Sequence, residues 1–240
     1  MYDVIINAPD LSMREEEAMV DRVLVTDADD FLGPATVERF TSNGAAVTAV
    51  TEPLQSREDA FALADSYGPF HIVVANLEAP ITVAPITEHT DELCTSMFDR
   101  LVHPLFWLFA ACLPSMVSAG RGAVVVPTSA TALRTSSHPI AAYEAARAAQ
   151  VTLVRSVGWE MAPNGVRVNG VAPNFIENPS YFPPEVVADD NFRRDLQRVV
   201  PAGRLGSGEE AAATIEWLAS PGASYVFGAI IPVDGGWSLG

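Results

Sequence analysis

The chain has 240 residues, 49% of them hydrophobic, with 14 Lys and Arg against 30 Asp and Glu and a net charge of -16. That length suits one α/β domain whose folding hides roughly 70–75% of the extended chain's surface, without disulfides or metals. The negative charge opposes a phosphate-tracking nucleic-acid binder and an anionic membrane surface, and the apolar content opposes extensive disorder.

Residues 1–20 are acidic and lack a basic leader region, so they read as an N-terminal extension without a secretory signal, ahead of a single domain over 21–240. Residues 22–26 (RVLVT) predict a strand, 33–43 a helix, 45–51 a strand, 56–67 a helix and 71–75 (HIVVA) a strand. One long helical region is expected over 90–119, then a strand at 122–127 (GAVVVP) and a long helix at 139–161. A strand at 166–171, a helix at 209–219 and a strand at 229–233 complete the series. Apolar strands without alternation, separated by helix-length segments, predict a Rossmann-like, doubly wound parallel sheet. Ligands of such a sheet bind beyond the carboxyl ends of its strands. The most apolar stretch, 105–113, lies between Pro104 and Pro114 and is far short of the ~20 residues a membrane helix needs, so a soluble cytoplasmic protein is expected. Cys94 and Cys112 have no CxxC spacing, and His71, His89, His103 and His138 are scattered, so no metal site is expected.

A nucleotide-binding sheet of this kind follows its first strand with a glycine-rich turn that lets the backbone approach a pyrophosphate. Here the turn reads Thr26-Asp27-Ala28-Asp29-Asp30-Phe31-Leu32-Gly33, with only Gly33 left. Phe31 puts a ring where the backbone should be bare, and Asp27, Asp29 and Asp30 put carboxylates near the diphosphate position. A like-charge pair about 4 Å apart costs on the order of 1 kcal/mol even in water. The aspartates could instead cap the following helix. In either case neither NAD nor NADP is expected to bind.

The strand at 122–127 delivers Ser129 to its carboxyl end, and Tyr143 and Arg147, four residues apart, share one face of the following helix. A guanidinium beside a phenol favours the phenolate, whose ordinary pKa is ~10, and arginine does this without titrating itself. Ser129 could hold a substrate oxygen while Tyr143 takes its proton. After the strand at 166–171 comes Pro173-Asn174-Phe175-Ile176, then Tyr181 and further prolines. This bulky segment can form a nest of inward N–H groups for a small anion. It could also be a proline-rich lid with ordinary packing.

The order strand, Ser129, Tyr143-x-x-x-Arg147, Pro173 and the closing Val233-Asp234-Gly235-Gly236 resembles the short-chain dehydrogenase/reductase fold. That family has lysine where Arg147 stands and glycines in the first loop. Both changes together, with Thr26…Phe31-Leu32-Gly33, resemble its cofactor-free offshoot, the halohydrin dehalogenases, from about residue 22 to 237. Thirteen residues separate Ser129 from Tyr143 where that family usually has twelve, and counting back twelve gives Thr131. A one-residue insertion at 135–140 keeps Ser129 as the expected hydroxyl.

The resemblance implies conversion of vicinal haloalcohols to epoxides, with no cofactor and with Ser129, Tyr143 and Arg147 as catalytic residues. It implies a halide site of Pro173, Asn174, Phe175 and Ile176, walled by Phe31 and Tyr181, with the Phe175 and Ile176 amides as donors. It also implies epoxide opening by small anions and a homotetramer joined through its long helices. Two alternatives remain: an NAD(P)-dependent oxidoreductase with a degenerate cofactor loop, and a non-catalytic ligand-binding relative.

Overall fold

The computed structural model describes residues 20–178 and 180–240. The N-terminal extension expected at 1–20 therefore lies, except for Val20, outside the described residues. Six strands, β1 (Arg22–Val25), β2 (Ala46–Ala49), β3 (Ile72–Val74), β4 (Gly122–Pro127), β5 (Val166–Pro173) and β6 (Ile230–Val233), pair in parallel in the order β2-β1-β3-β4-β5-β6. Val23, Leu24 and Val25 have no exposed surface, although consecutive strand residues point to opposite faces. Both faces of the sheet are thus covered, which is why these runs are apolar without alternation.

On one face, α4 (His103–Ala119) and α5 (Ala141–Met161) pack Leu105, Leu108, Met116 and Val154 against Leu24 and Val124. On the other, α1 (Gly33–Ser42) and α8 (Gly208–Ala219) pack Phe40, Ile215 and Leu218 against Val23 and Val25. The helix α2 (Arg57–Tyr67) starts at Ser56, whose side chain accepts from Asp59 N–H in a reciprocal capping box. Gly33 opens α1 within a close approach: a Cβ there would lie 2.4 Å from the Asp27 carbonyl oxygen. That is the packing role the last glycine of a dinucleotide fingerprint has, and it survives here without the others.

Two expectations are corrected. The helical region at 90–119 is two helices, α3 (Asp91–Leu101) and α4, separated at Val102. Pro104 has no N–H to continue the ladder and takes the first turn of α4, where none is needed. By length and composition the 29 residues Asp91–Ala119 would suit a membrane span, but Leu105, Leu108, Phe109 and Met116 are buried in the core. The second correction lies between β5 and α8, where a short α6 (Pro184–Val187) and α7 (Asp190–Val199) fold over the carboxyl end of the sheet. Phe192, Leu196 and Val199 share the inward face of α7, and Asp189 caps it by accepting from Asn191 N–H at 2.8 Å. The strand order reverses at β1, between β2 and β3, so the crevice for ligands opens beyond the carboxyl ends of β1, β3, β4 and β5.

Candidate functional site

A cavity of about 420 Å³ occupies that crevice. Of the nine predicted site residues, Phe31, Ser129, Tyr143, Pro173, Asn174, Phe175, Ile176 and Tyr181 line it, and Arg147 stands directly behind Tyr143.

Ser129 leaves β4 in extended conformation, and its Oγ accepts from Thr131 N–H at 3.2 Å. The two hydroxyls lie 2.9 Å apart and both face the cavity. Both candidate hydroxyls therefore stand at the carboxyl end of β4, ahead of the loop that leads to α5. That loop also brings Ser136, Ser137 and His138 to the wall.

Arg147 is wholly buried. Its Nη1 donates to the Pro127 carbonyl at 3.3 Å and to Gln150 Oε1 at 3.0 Å, and Gln150 Nε2 donates to the Leu101 carbonyl at 2.7 Å. The guanidinium lies between two rings, its Cζ 5.0 Å from the Tyr143 centroid and 5.2 Å from that of Phe31. Its Nε and Nη2 have no hydrogen-bond partner among the described residues. Burial opposes its charge, but attraction to the nearby oxygens of Tyr143 and Tyr181 outweighs this and raises its pKa above the ordinary arginine value. Arg147 is therefore a fixed internal cation beside two phenols.

The two tyrosines differ. Burial pushes the Tyr181 phenol above the ordinary tyrosine range, reinforced by neighbouring Tyr143 and opposed by Arg147. Its hydroxyl donates to the Ala79 carbonyl at 2.9 Å and lies 3.5 Å from Glu78 Oε1. The Tyr181 hydroxyl is thus engaged as a donor, while Tyr143 lines the cavity beside Arg147.

The first loop departs from the helix-capping alternative. The N-cap of α1 is Leu32, with no side-chain cap bond. Asp27 turns inward at φ 40°, and its Oδ2 accepts from Glu78 N–H at 2.8 Å. Asp30 accepts from Phe31 N–H at 2.5 Å and from Ser180 Oγ, while Asp29 is exposed. Asn76 Nδ2, at the end of β3, donates to the carbonyls of Asp27 (2.9 Å) and Asp30 (3.0 Å), fixing the turn. Phe31, at φ 49°, is held with its ring edge-on to Tyr181, centroids 5.7 Å apart. Burial raises the pKa values of Asp27 and Glu78, and Arg100, 3.3 Å from Glu78 Oε2, lowers both in part.

These residues do not fit a dinucleotide. The Asp30–Ser180 hydrogen bond, the Phe31–Tyr181 ring pair and the Tyr181–Glu78 contact all cross the crevice where a pyrophosphate and nicotinamide would lie. Asp27, Asp30 and Glu78 add negative charge at the same place. Among the described residues no group of three or more His, Cys, Asp or Glu could hold a metal ion.

The segment after β5 is a tight turn. Phe175 adopts φ 52°, and its N–H donates to Asn174 Oδ1 at 3.0 Å. Asn178 Oδ1 accepts from Ser180 N–H (3.1 Å) and Tyr181 N–H (2.8 Å). Of the two amides expected to face an anion, Phe175 is thus occupied within its own turn, and Ile176 N–H is the one without an acceptor among the described residues. Sequence reasoning missed Asn76 and Asn178, whose amides hold the loops, Gln150, which ties Arg147 to the end of α3, and the outer wall from Phe182, Phe192 and Trp237. The inward spacing on α7 was the one available signal for Phe192.

A family profile described as enoyl-(acyl carrier protein) reductase matches residues 15–238. Galactitol 2-dehydrogenase of Rhizobium johnstonii is 35% identical over 189 residues, 76% of this chain and 72% of that protein. 2,3-Dihydroxy-2,3-dihydro-p-cumate dehydrogenase of Pseudomonas putida is 30% identical over 223 residues, 91% of this chain and 85% of that one. Among solved structures, one titled a dehalogenation enzyme superposes with TM-score 0.84 at 28% identity, covering 91% of this chain and 98% of its own. A halohydrin dehalogenase bound to ethyl (2S)-oxiran-2-ylacetate shares the fold, with TM-score 0.83 at 22% identity over 90% of this chain and 96% of its own. The profile match over nearly the whole described chain, on a parallel six-stranded sheet carrying Ser129 and Tyr143 at its carboxyl edge, means that the chain belongs to the short-chain dehydrogenase/reductase family.

Proposed function

We propose that this protein is a cofactor-independent halohydrin dehalogenase, closing vicinal haloalcohols to epoxides and opening epoxides with small anions in reverse. The observation that carries this reading is the stack of Phe31, Arg147 and Tyr143. A residue of the former cofactor loop packs on the cation that serves the tyrosine, so that side of the crevice belongs to the acid–base apparatus. Ser129, steadied by Thr131, receives the substrate hydroxyl, and Tyr143, beside the Arg147 cation, takes its proton. The alkoxide oxygen attacks the neighbouring carbon as the carbon–halogen bond breaks, and the halide leaves with the bonding pair. Reactants joined in one molecule need alignment and deprotonation more than further chemistry. The pocket of Pro173, Asn174, Phe175 and Ile176 receives the halide through the Ile176 N–H and the edges of surrounding rings.

A second reading, an NAD(P)-dependent oxidoreductase, is favoured by the names of the curated relatives, which are dehydrogenases and reductases. Halide release from a panel of haloalcohols without nucleotide, alongside calorimetric titration with NAD(H) and NADP(H), separates the two. Release without nucleotide, inhibited by bromide and less so in Phe175→Ala, supports the dehalogenase. Submillimolar nucleotide affinity with no halide release replaces it by the oxidoreductase, and neither result leaves a non-catalytic binder. The assembly proposed is a homotetramer: Phe106 on α4 is 51% exposed and Trp159 on α5 82%, apolar surface that paired helices of neighbouring subunits would cover. A monomer in light scattering at micromolar concentration would overturn the assembly.

A further inference from the structure

The cavity is several times larger than a three-carbon haloalcohol, and its volume of about 420 Å³ is typical of sites for drug-sized ligands. Leading away from the catalytic hydroxyls is a row of rings. Trp237 meets Phe175 edge-on at 6.2 Å, Phe175 meets Phe182 at 5.7 Å, and Phe182 meets Phe192 at 5.7 Å. Among the described residues Asp195 is the one Asp, Glu, Lys or Arg in the lining, and it lies 3.5 Å from Arg198.

Trp237 is held by a device that the reaction itself does not use. Gly235 and Gly236, at φ 61° and 88°, reverse the chain after β6, a path that side chains rarely follow. Asp234 accepts from Gly236 N–H and Ser238 N–H, both at 2.9 Å. Arg134, from the loop after Ser129, lays its guanidinium over the indole, Cζ 4.8 Å from the centroid, and donates from Nη1 to the Trp237 carbonyl. Arg134 itself does not line the cavity.

We infer that the cavity selects neutral substrates with a flat apolar substituent, seated against Phe175 and Trp237, and that Arg134 is the positioning residue that holds this wall. Rings favour such offset and edge contacts, and among the described residues no lysine or arginine lines the cavity to pair a carboxylate taken out of water. For its reaction, the inference rests on the dehalogenase reading; the wall itself does not.

The test compares halide release from 2-chloro-1-phenylethanol, its ring-carboxylated analogue 4-(2-chloro-1-hydroxyethyl)benzoate and 1-chloro-2-propanol by the full chain. The phenyl substrate should exceed the other two in kcat/KM by about tenfold or more. Arg134→Ala should reduce the phenyl-over-propyl preference about tenfold, chiefly through the phenyl substrate's KM, and Arg134→Lys should restore part of it. Equal losses for both substrates, an unchanged preference or equal turnover of the benzoate would overturn the inference. If the wild type releases halide from none of them, the dehalogenase reading has failed while the wall is still open to test. In that case 1-phenylethanol should change the tryptophan fluorescence of the wild type but not of Trp237→Phe, and bind more weakly to Arg134→Ala. Failure of that fluorescence change would remove the wall as well.

Discussion

The two sides of the crevice are built in different ways. On the β4–α5 side, Ser129 sits in ordinary extended backbone and Tyr143 and Arg147 occupy regular helix. On the side of the β1 and β5 loops, Asp27, Phe31 and Phe175 are the non-glycine residues with positive φ among the described residues. Each such conformation costs of order 1–3 kcal/mol and persists only where its surroundings over-determine it. Asn76, Asn178, Asp30 and Ser180 supply that surrounding hydrogen bonding. The hydroxyl and phenol side therefore needs no strain, while the side that faces a dinucleotide in other proteins of this fold is a set of forced turns filled with rings.

The largest expected effect tests the unstrained side. Tyr143→Phe should lower turnover by about a thousandfold, within the range for losing a positioned base, while circular dichroism shows an unchanged fold. Retention of more than about a tenth of the activity would transfer the base to another group.

Next comes the choice of hydroxyl. Ser129→Ala should cost about a hundredfold in kcat/KM, and Thr131→Ala only a fewfold, because Thr131 acts through Ser129. The reverse ranking would place the substrate on Thr131.

Phe31→Gly probes the strained side. Loss of the buried ring costs about 3–5 kcal/mol and relief of the positive φ returns about 1, so urea unfolding should show a net loss of about 3 kcal/mol. Turnover should fall about tenfold as Arg147 loses one of its two rings. Calorimetry should find no nucleotide affinity, because Asp27, Asp30 and Glu78 remain; a gain would mean that the ring alone closes the crevice.

The smallest effect concerns Asp27. Burial raises its pKa, so the folded state holds the proton more tightly than the unfolded chain. The group's contribution to stability is then greatest below the ordinary carboxylate range and is lost as pH rises through the folded value. Asp27→Asn should therefore raise the melting temperature slightly at pH 7, worth up to about 1 kcal/mol, with the gain vanishing below about pH 4. A gain that is constant with pH would mean that burial does not raise the Asp27 pKa.

The sheet was legible because residues buried on both faces must be apolar throughout, as Val23–Val25 and Ala123–Val126 are. Tyr143 and Arg147 were legible because four residues is one helical turn. The bend at Val102 was not, since Pro104 can either interrupt a helix or begin one. The inward turn of Asp27 and the capture of the Phe175 amide by Asn174 were also hidden. Both are settled by a partner or a torsion rather than by any periodicity. The Trp237 wall depends on contacts with Arg134, 103 residues away in the chain, which local patterning cannot register.

Arg147 has no surface in contact with solvent. The field of an exposed charge such as Arg193 is screened by salt over a Debye length of about 8 Å at physiological ionic strength. A charge enclosed between Phe31 and Tyr143 has no room for counter-ions, so its field on the phenol is set by the protein and not by the medium. Under the proposed dehalogenation, which releases a halide and a proton at every turnover, the internal field would thereby stay the same as product accumulates.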